Sequence, residues 1–124
     1  MKIDQRRLTG SGDLTDAYKT FEEARSLIAS RFLEFRTVEE VAAAAGVSSV
    51  YLSRLFKRFS GSGAYRFLLR LRMNYAAELL LEHQLKVRAV AAKLDYADAF
   101  QFSRAFKRVY GVPPSKLRAV SQSD

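Results

Sequence analysis

Two sets of residues have the types and spacing to engage an anionic, hydrogen-bonding surface: Ser53, Arg54 and Lys57, and again Ser103, Arg104 and Lys107. The chemistry they offer is non-covalent. An arginine fork can bond O6 and N7 of guanine together, a lysine neutralises phosphate, and a serine is small enough to permit close approach. Val50 and Phe100 stand three residues ahead of each serine, where an apolar side chain either meets a thymine methyl or folds back to seal the preceding turn. Covalent chemistry has little to draw on. The 124 residues include no cysteine and one histidine, which excludes disulfide scaffolds, cysteine zinc sites and cysteine nucleophiles. That histidine, His83, lies between Glu82 and Gln84 and reads as an exposed loop residue. No catalytic, metal-ligating or cofactor-binding residue is assigned.

The charge is unevenly placed. Residues 1–40 carry seven basic and eight acidic side chains, residues 41–118 carry fourteen and four, and the last six residues add one acid, for a total of +8. A surplus of ten positive charges confined to one region predicts a polyanionic partner, nucleic acid first. With 48% hydrophobic and 27% charged residues the chain is apolar enough to fold and short enough for one domain or two very small ones. No window has the roughly 18 consecutive apolar residues of a membrane span, and the first seven residues lack the apolar centre of a signal peptide, so a cytoplasmic location is expected.

Helices must position these side chains, because no segment alternates with period two. Residues 1–12 end in Thr9-Gly10-Ser11-Gly12 and read as a flexible lead-in or linker. Asp13 then caps a helix whose apolar residues Leu14, Ala17, Tyr18, Phe21, Ala24, Leu27, Ile28 and Phe32 recur at helical spacing. Thr37 and Glu40 form a capping-box pattern that opens a helix through Ala45, and Gly46 stops it. Ser48 caps a helix to about Phe59, and Ser60-Gly61-Ser62-Gly63 interrupts the chain. A long helix covers residues 64–82. A short one covers residues 87–94, Asp98 caps another that ends at Gly111, and Pro113-Pro114 opens a last short helix to Arg118, with residues 119–124 as a flexible tail.

An internal repeat organises these elements. Ser53-Arg54-Leu55-Phe56-Lys57-Arg58-Phe59-Ser60-Gly61 returns fifty residues later as Ser103-Arg104-Ala105-Phe106-Lys107-Arg108-Val109-Tyr110-Gly111, identical at six of nine positions. Upstream, Val38, Val41, Ala42 and Ala43 return after forty-nine residues as Val87, Val90, Ala91 and Ala92, so the second copy has one extra residue between its two helices. Each copy has the layout of a helix-turn-helix unit. Leu52, Leu55, Phe56 and Phe59, with Phe102, Ala105, Phe106 and Val109, form the inward stripes, which makes the phenylalanines core rather than stacking platforms. Val50, Ser53, Arg54 and Lys57, with Phe100, Ser103, Arg104 and Lys107, lie about 200° around the helix axis and face outward. Arg58 and Arg108 flank the same helix ends as phosphate contacts or solvating charges.

The two units, the connector opening Tyr65-Arg66-Phe67-Leu68-Leu69-Arg70-Leu71-Arg72-Met73 and the closing Gly111-Val112-Pro113-Pro114 together resemble the DNA-binding domain of the AraC/XylS family of bacterial transcription regulators. The resemblance covers residues 24–118. It implies an all-α fold of about seven helices, with helix-turn-helix subdomains at 13–63 and 83–118 joined by the connecting helix at 64–82. It also implies that Ser49, Val50, Ser53 and Arg54 of the first unit, and Ala99, Phe100, Gln101, Ser103 and Arg104 of the second, contact double-stranded DNA. Further implications are transcriptional activation through RNA polymerase and an N-terminal effector or dimerisation domain outside this chain. The sequence departs from the family pattern at Asp95, where glycine is usual, at Gly63-Ala64, where Ser-Pro commonly opens the connector, and before Val87, where a capping side chain is missing.

On this reading the domain binds as a monomer, with its recognition helices in successive major-groove segments. A nineteen-residue connector spans about 28 Å, of the same order as the ~34–36 Å repeat of the duplex. A basic helical module for RNA or an acidic protein, or a DNA binder without sequence preference, satisfies the same charge distribution.

Overall fold

The computed structural model describes residues 10–123 in backbone and 14–118 in side chain, and within them every regular element is a helix. The helices are α1 (Gly10–Arg31), α2 (Val38–Ala45), α3 (Ser49–Ser60), α4 (Ala64–Leu81), α5 (Val87–Lys93), α6 (Ala99–Tyr110) and α7 (Pro114–Ser123), with one 3₁₀ turn at Phe32–Glu34. The chain divides into two compact units between Leu68 and Leu69, inside α4.

In the first unit α1, α2 and α3 pack on one another. Ala17, Phe21, Ala24 and Ile28 of α1 are buried, as are Val41 and Ala42 of α2, Leu52, Leu55 and Phe56 of α3, and Ala64 and Leu68. The Phe21 and Phe56 rings meet edge to face at 4.9 Å between centroids, a geometry that adds to the burial of each ring. Phe59, expected in the core, is half-buried and packs its ring against Tyr18 and Phe21. Of the α1 stripe, Leu14 and Tyr18 are exposed, while Leu27 and Phe32 are half-buried.

The second unit buries Leu69, Met73, Ala76, Leu79 and Leu80 of α4 against Val90, Ala91 and Leu94 and against Phe102, Ala105 and Phe106. Arg72 is buried with them, which the sequence pattern did not signal. Its guanidinium donates to the Leu94 carbonyl and lies 5.5 Å from the centre of the Tyr96 ring, so one α4 side chain grips the turn between α5 and α6. Pro114 of α7 is also fully buried.

Two helix limits differ from the sequence reading by three residues or more. α1 starts at Gly10 rather than at Asp13, so residues 10–12 of the expected lead-in, residues 1–12, are helical, and residues 1–9 lie outside the described residues. Glycine's cost in a helix is conformational entropy, about 1 kcal/mol against alanine, which continuation of the adjoining helix outweighs here. α7 continues through the expected tail to Ser123, because each residue added to a nucleated helix gains a hydrogen bond without a new nucleus.

Candidate nucleic-acid interface

The local chemistry of each turn decides where α3 and α6 begin. The Thr37 Oγ1 accepts from the Glu40 N–H at 3.1 Å, and a Glu40 carboxylate oxygen accepts from the backbone N–H of Thr37 at 3.3 Å, closing a full capping box on α2. The α2 C-terminus is closed by Gly46 at φ 76°, with its N–H on the Ala43 carbonyl and the Val47 N–H on the Ala42 carbonyl. Forty-nine residues on, Asp95 takes the same left-handed conformation at φ 67°, its N–H on the Ala92 carbonyl and the Tyr96 N–H on the Ala91 carbonyl. Both turns are Schellman motifs with matching bonds, so aspartate, among the residue types best able to tolerate this region, preserves the geometry glycine gives the first unit. Ser48 then caps α3 through the Tyr51 N–H at 3.1 Å, and Asp98 caps α6 through the Gln101 N–H at 2.8 Å. Val47 and Tyr96 are equivalent by their bonds, as are Ser48 and Asp98, so the extra residue of the second unit is Ala97. Lys86, before α5, makes no side-chain cap bond, as the sequence suggested.

Burial repeats along α3 and α6 at every position from Ser49 to Gly61 and from Ala99 to Gly111 except one, half-buried Tyr51 against exposed Gln101. In both helices the serine of the outward stripe is half-buried, and Arg54, Lys57, Arg104 and Lys107 are exposed; Ser49 and Ala99 are half-buried in the first turns. Among the described residues none of these four cations meets a carboxylate, and the ion pairs Arg25–Glu22 and Arg31–Glu34 lie on and just after α1. The outward faces therefore carry positive charge that is not ion-paired among the described residues.

Val50 and Phe100 are 61% and 68% exposed, so neither folds back to seal its turn. For Phe100 the structure shows instead a cation–π contact along its own helix: the Arg104 guanidinium carbon lies over the ring, 5.7 Å from its centroid.

In the first unit an open groove runs beside α3, lined by Ser49, Val50, Ser53, Arg54 and Lys57 together with Arg36, Thr37, Val38, Glu39 and Tyr65. The second group was not singled out from sequence. Tracing one face of α3 could not reach it, although Arg36 directly precedes the capping box and Tyr65 opens α4. Five of the six first-named candidates of the second unit, Ala99, Phe100, Gln101, Ser103 and Arg104, fall within a turn and a half at the start of α6, with Lys107 one turn further.

His83 is exposed in the loop after α4, with ligand atoms of Glu78 and Glu82 within 4.8 Å of its ring nitrogen. Nothing buried or oriented accompanies that exposed group. No described helix is long and apolar enough to cross a membrane.

Residues 41–119 match the family described as Helix-turn-helix domain. The C-terminal domain of AraT, a response regulator from Geobacillus stearothermophilus, is 37% identical with a TM-score of 0.73, over 82% of this chain and 84% of that one. A Chromobacterium violaceum transcriptional regulator of the AraC-type DNA-binding class is 25% identical with a TM-score of 0.71, over 86% and 96%. The DNA-binding domain of AdpA, a global transcriptional factor solved with a target DNA, is 25% identical with a TM-score of 0.71, over 83% and 93%. Fold and matches together define the class as a tandem helix-turn-helix DNA-binding domain. The chain spans 41%, 27% and 35% of the lengths of three curated relatives that it matches. It belongs to the AraC family of transcription regulators.

Proposed function

We propose that this domain binds double-stranded DNA in a sequence-specific manner and regulates transcription in a bacterial cytoplasm, inserting α3 and α6 into successive major-groove segments. The observation that carries this reading is the repeated outward set, a half-buried serine, then an arginine and, three residues on, a lysine, both cations exposed and without an ion-paired carboxylate among the described residues, on two independently capped helices. Arg54 and Arg104 bond guanine edges, Lys57 and Lys107 neutralise phosphates, and Ser53 and Ser103 allow close approach, with Ser49, Val50, Ala99, Phe100 and Gln101 completing the contact surface. Val50 and Phe100 differ in size and Tyr51 and Gln101 in polarity, so the two reading faces are unlike and the bound site is asymmetric. The 18 residues of α4 amount to about 27 Å of helix. If the two recognition helices stand closer than one duplex turn, bending, and hence sequence-dependent deformability, enters the specificity.

The greater length of the relatives supports an effector or dimerisation domain elsewhere in the intact protein, and activation through RNA polymerase is the family's implication for this chain. Selecting duplexes from a random pool at physiological salt, with random duplex and structured RNA as competitors, tests the reading. A motif of two unlike boxes about one turn apart is the expected outcome. Equal binding of all competitors would overturn it.

A further inference from the structure

The second recognition helix carries a feature that its counterpart lacks. Phe100 is 68% exposed, yet its ring is engaged by the Arg104 guanidinium one helical turn further on, 5.7 Å from centroid to guanidinium carbon. In α3 the residue four before Arg54 is Val50, which has no aromatic face to offer. Arg104 is thus held by a neighbour on its own helix, whereas Arg54 is not.

We infer that Phe100 and Arg104 act as one composite reader of a guanine flanked by a base pair bearing a 5-methylpyrimidine, an inference that rests on the proposed insertion of α6 into the major groove. Bidentate bonding requires the guanidinium to lie in the plane of the guanine it reads. With the two centres 5.7 Å apart, the ring then reaches past the guanine to a flanking base pair, since successive pairs are about 3.4 Å apart. At that level the major groove offers one apolar group, the methyl on C5 of a pyrimidine. A phenyl ring can form no hydrogen bond there, and leaving it against a bare polar edge gains nothing for the area buried. Thymine and 5-methylcytosine carry the same methyl, so the chemistry recognised is the methyl group itself. The stack also fixes the arginine before binding, which lowers the ordering cost of the contact and sharpens the guanine preference at this box relative to the one read by Arg54.

The test uses the full chain on its selected duplex. Comparing base preferences of the wild type and Arg104→Ala locates the guanine that Arg104 reads. At each pair flanking it, thymine is replaced by uracil, and cytosine by 5-methylcytosine, and Kd is measured for the wild type and for Phe100→Ser, a change at an exposed position. Removing the methyl should weaken wild-type binding about fourfold, as expected for one methyl group buried. Phe100→Ser should bind the methylated and unmethylated duplexes alike and discriminate less at the guanine. A methyl effect at thymine alone assigns the group to thymine, and an effect at both bases assigns it to either source. If Arg104→Ala alters no base preference, the guanine contact assigned to Arg104 in the proposed function falls, and the composite reader with it. If Arg104 governs a guanine but the wild type ignores the methyl, or Phe100→Ser keeps the methyl effect, only the composite reader falls.

Discussion

Arg54 stands exposed on α3, its serine neighbour half-buried and the apolar side chains Leu52, Leu55 and Phe56 turned the other way. An arginine so placed, with no carboxylate partner, gives up little on transfer to a base edge or a phosphate. Arg54→Ala is therefore expected to cost about 1–3 kcal/mol and to relax preference at one base pair, whereas Lys57→Ala weakens all sequences alike and lowers the salt slope by about one. Titration of the selected duplex and of single-base variants at several salt concentrations separates the two. This much was legible, because a 3.6-residue period and an internal repeat identify an outward face without coordinates. The Phe100–Arg104 stack was not, since i and i+4 spacing allows the contact but does not choose between it and folding back. A second case lies on α1, where the half-buried Glu22 accepts from the Tyr18 hydroxyl at 2.7 Å and from Arg25 at 3.1 Å. The Tyr18 hydrogen bond, and then Arg25, hold the Glu22 carboxyl below its ordinary range, while the same carboxylate raises the Tyr18 phenol. Glu22's contribution to stability is present above the unfolded-state pKa and is lost as pH falls through the lowered folded one. Tyr18→Phe should return the Glu22 midpoint upward in an NMR pH titration of its carboxyl; an unchanged midpoint would assign the shift to Arg25.

At the scale of elements, the placement of α3 and α6 is a matter of turns. Gly46 and Asp95 hold the same left-handed conformation with the same pair of backbone bonds, one from a residue suited to it and one from a residue that tolerates it. A Cβ added to Gly46 meets nothing within 4 Å, so Gly46→Ala isolates the backbone cost. Denaturant unfolding should show a loss of about 1 kcal/mol. The second turn has a different support, the buried Arg72 on the Leu94 carbonyl and against Tyr96. Arg72→Ala removes a charge-assisted bond and leaves a void, an expected cost of about 2–4 kcal/mol. Amide exchange should quicken at residues 94–96 and remain unchanged at residues 37–46, since each unit has its own core. The caps were readable, because Thr37, Ser48 and Asp98 announce themselves by type and by the helical period that follows. Arg72 was not, because arginine in an amphipathic helix reads as solvated and only tertiary packing decides that this one is enclosed. The true limits of α1 and α7 were hidden for a related reason: glycine and serine bias a stretch toward coil, and continuation of an adjoining helix overrides that bias.

The whole molecule poses the question of whether two reading helices act on one site or on two. The net charge of +8 bears on affinity but not on this point, because counterion release would strengthen binding by either arrangement. Spacing does discriminate. If α4 acts as a rod of about 27 Å, both helices engage only when their boxes lie on the same face of the duplex at a fixed separation. Inserting five base pairs between the boxes turns the second one to the opposite face, whereas inserting ten restores the face but lengthens the gap by a full turn. A rod should therefore lose the second box in both duplexes, down to the affinity of the first box alone. Independent modules on a pliant joint would recover with ten. Measuring Kd across insertions of one to ten base pairs, beside Arg104→Ala on the unmodified site, supplies the reference: every insertion beyond one or two should match the value for the variant that has lost its second contact. Recovery at ten, with Arg104→Ala still damaging on that duplex, would show that α4 does not set the spacing.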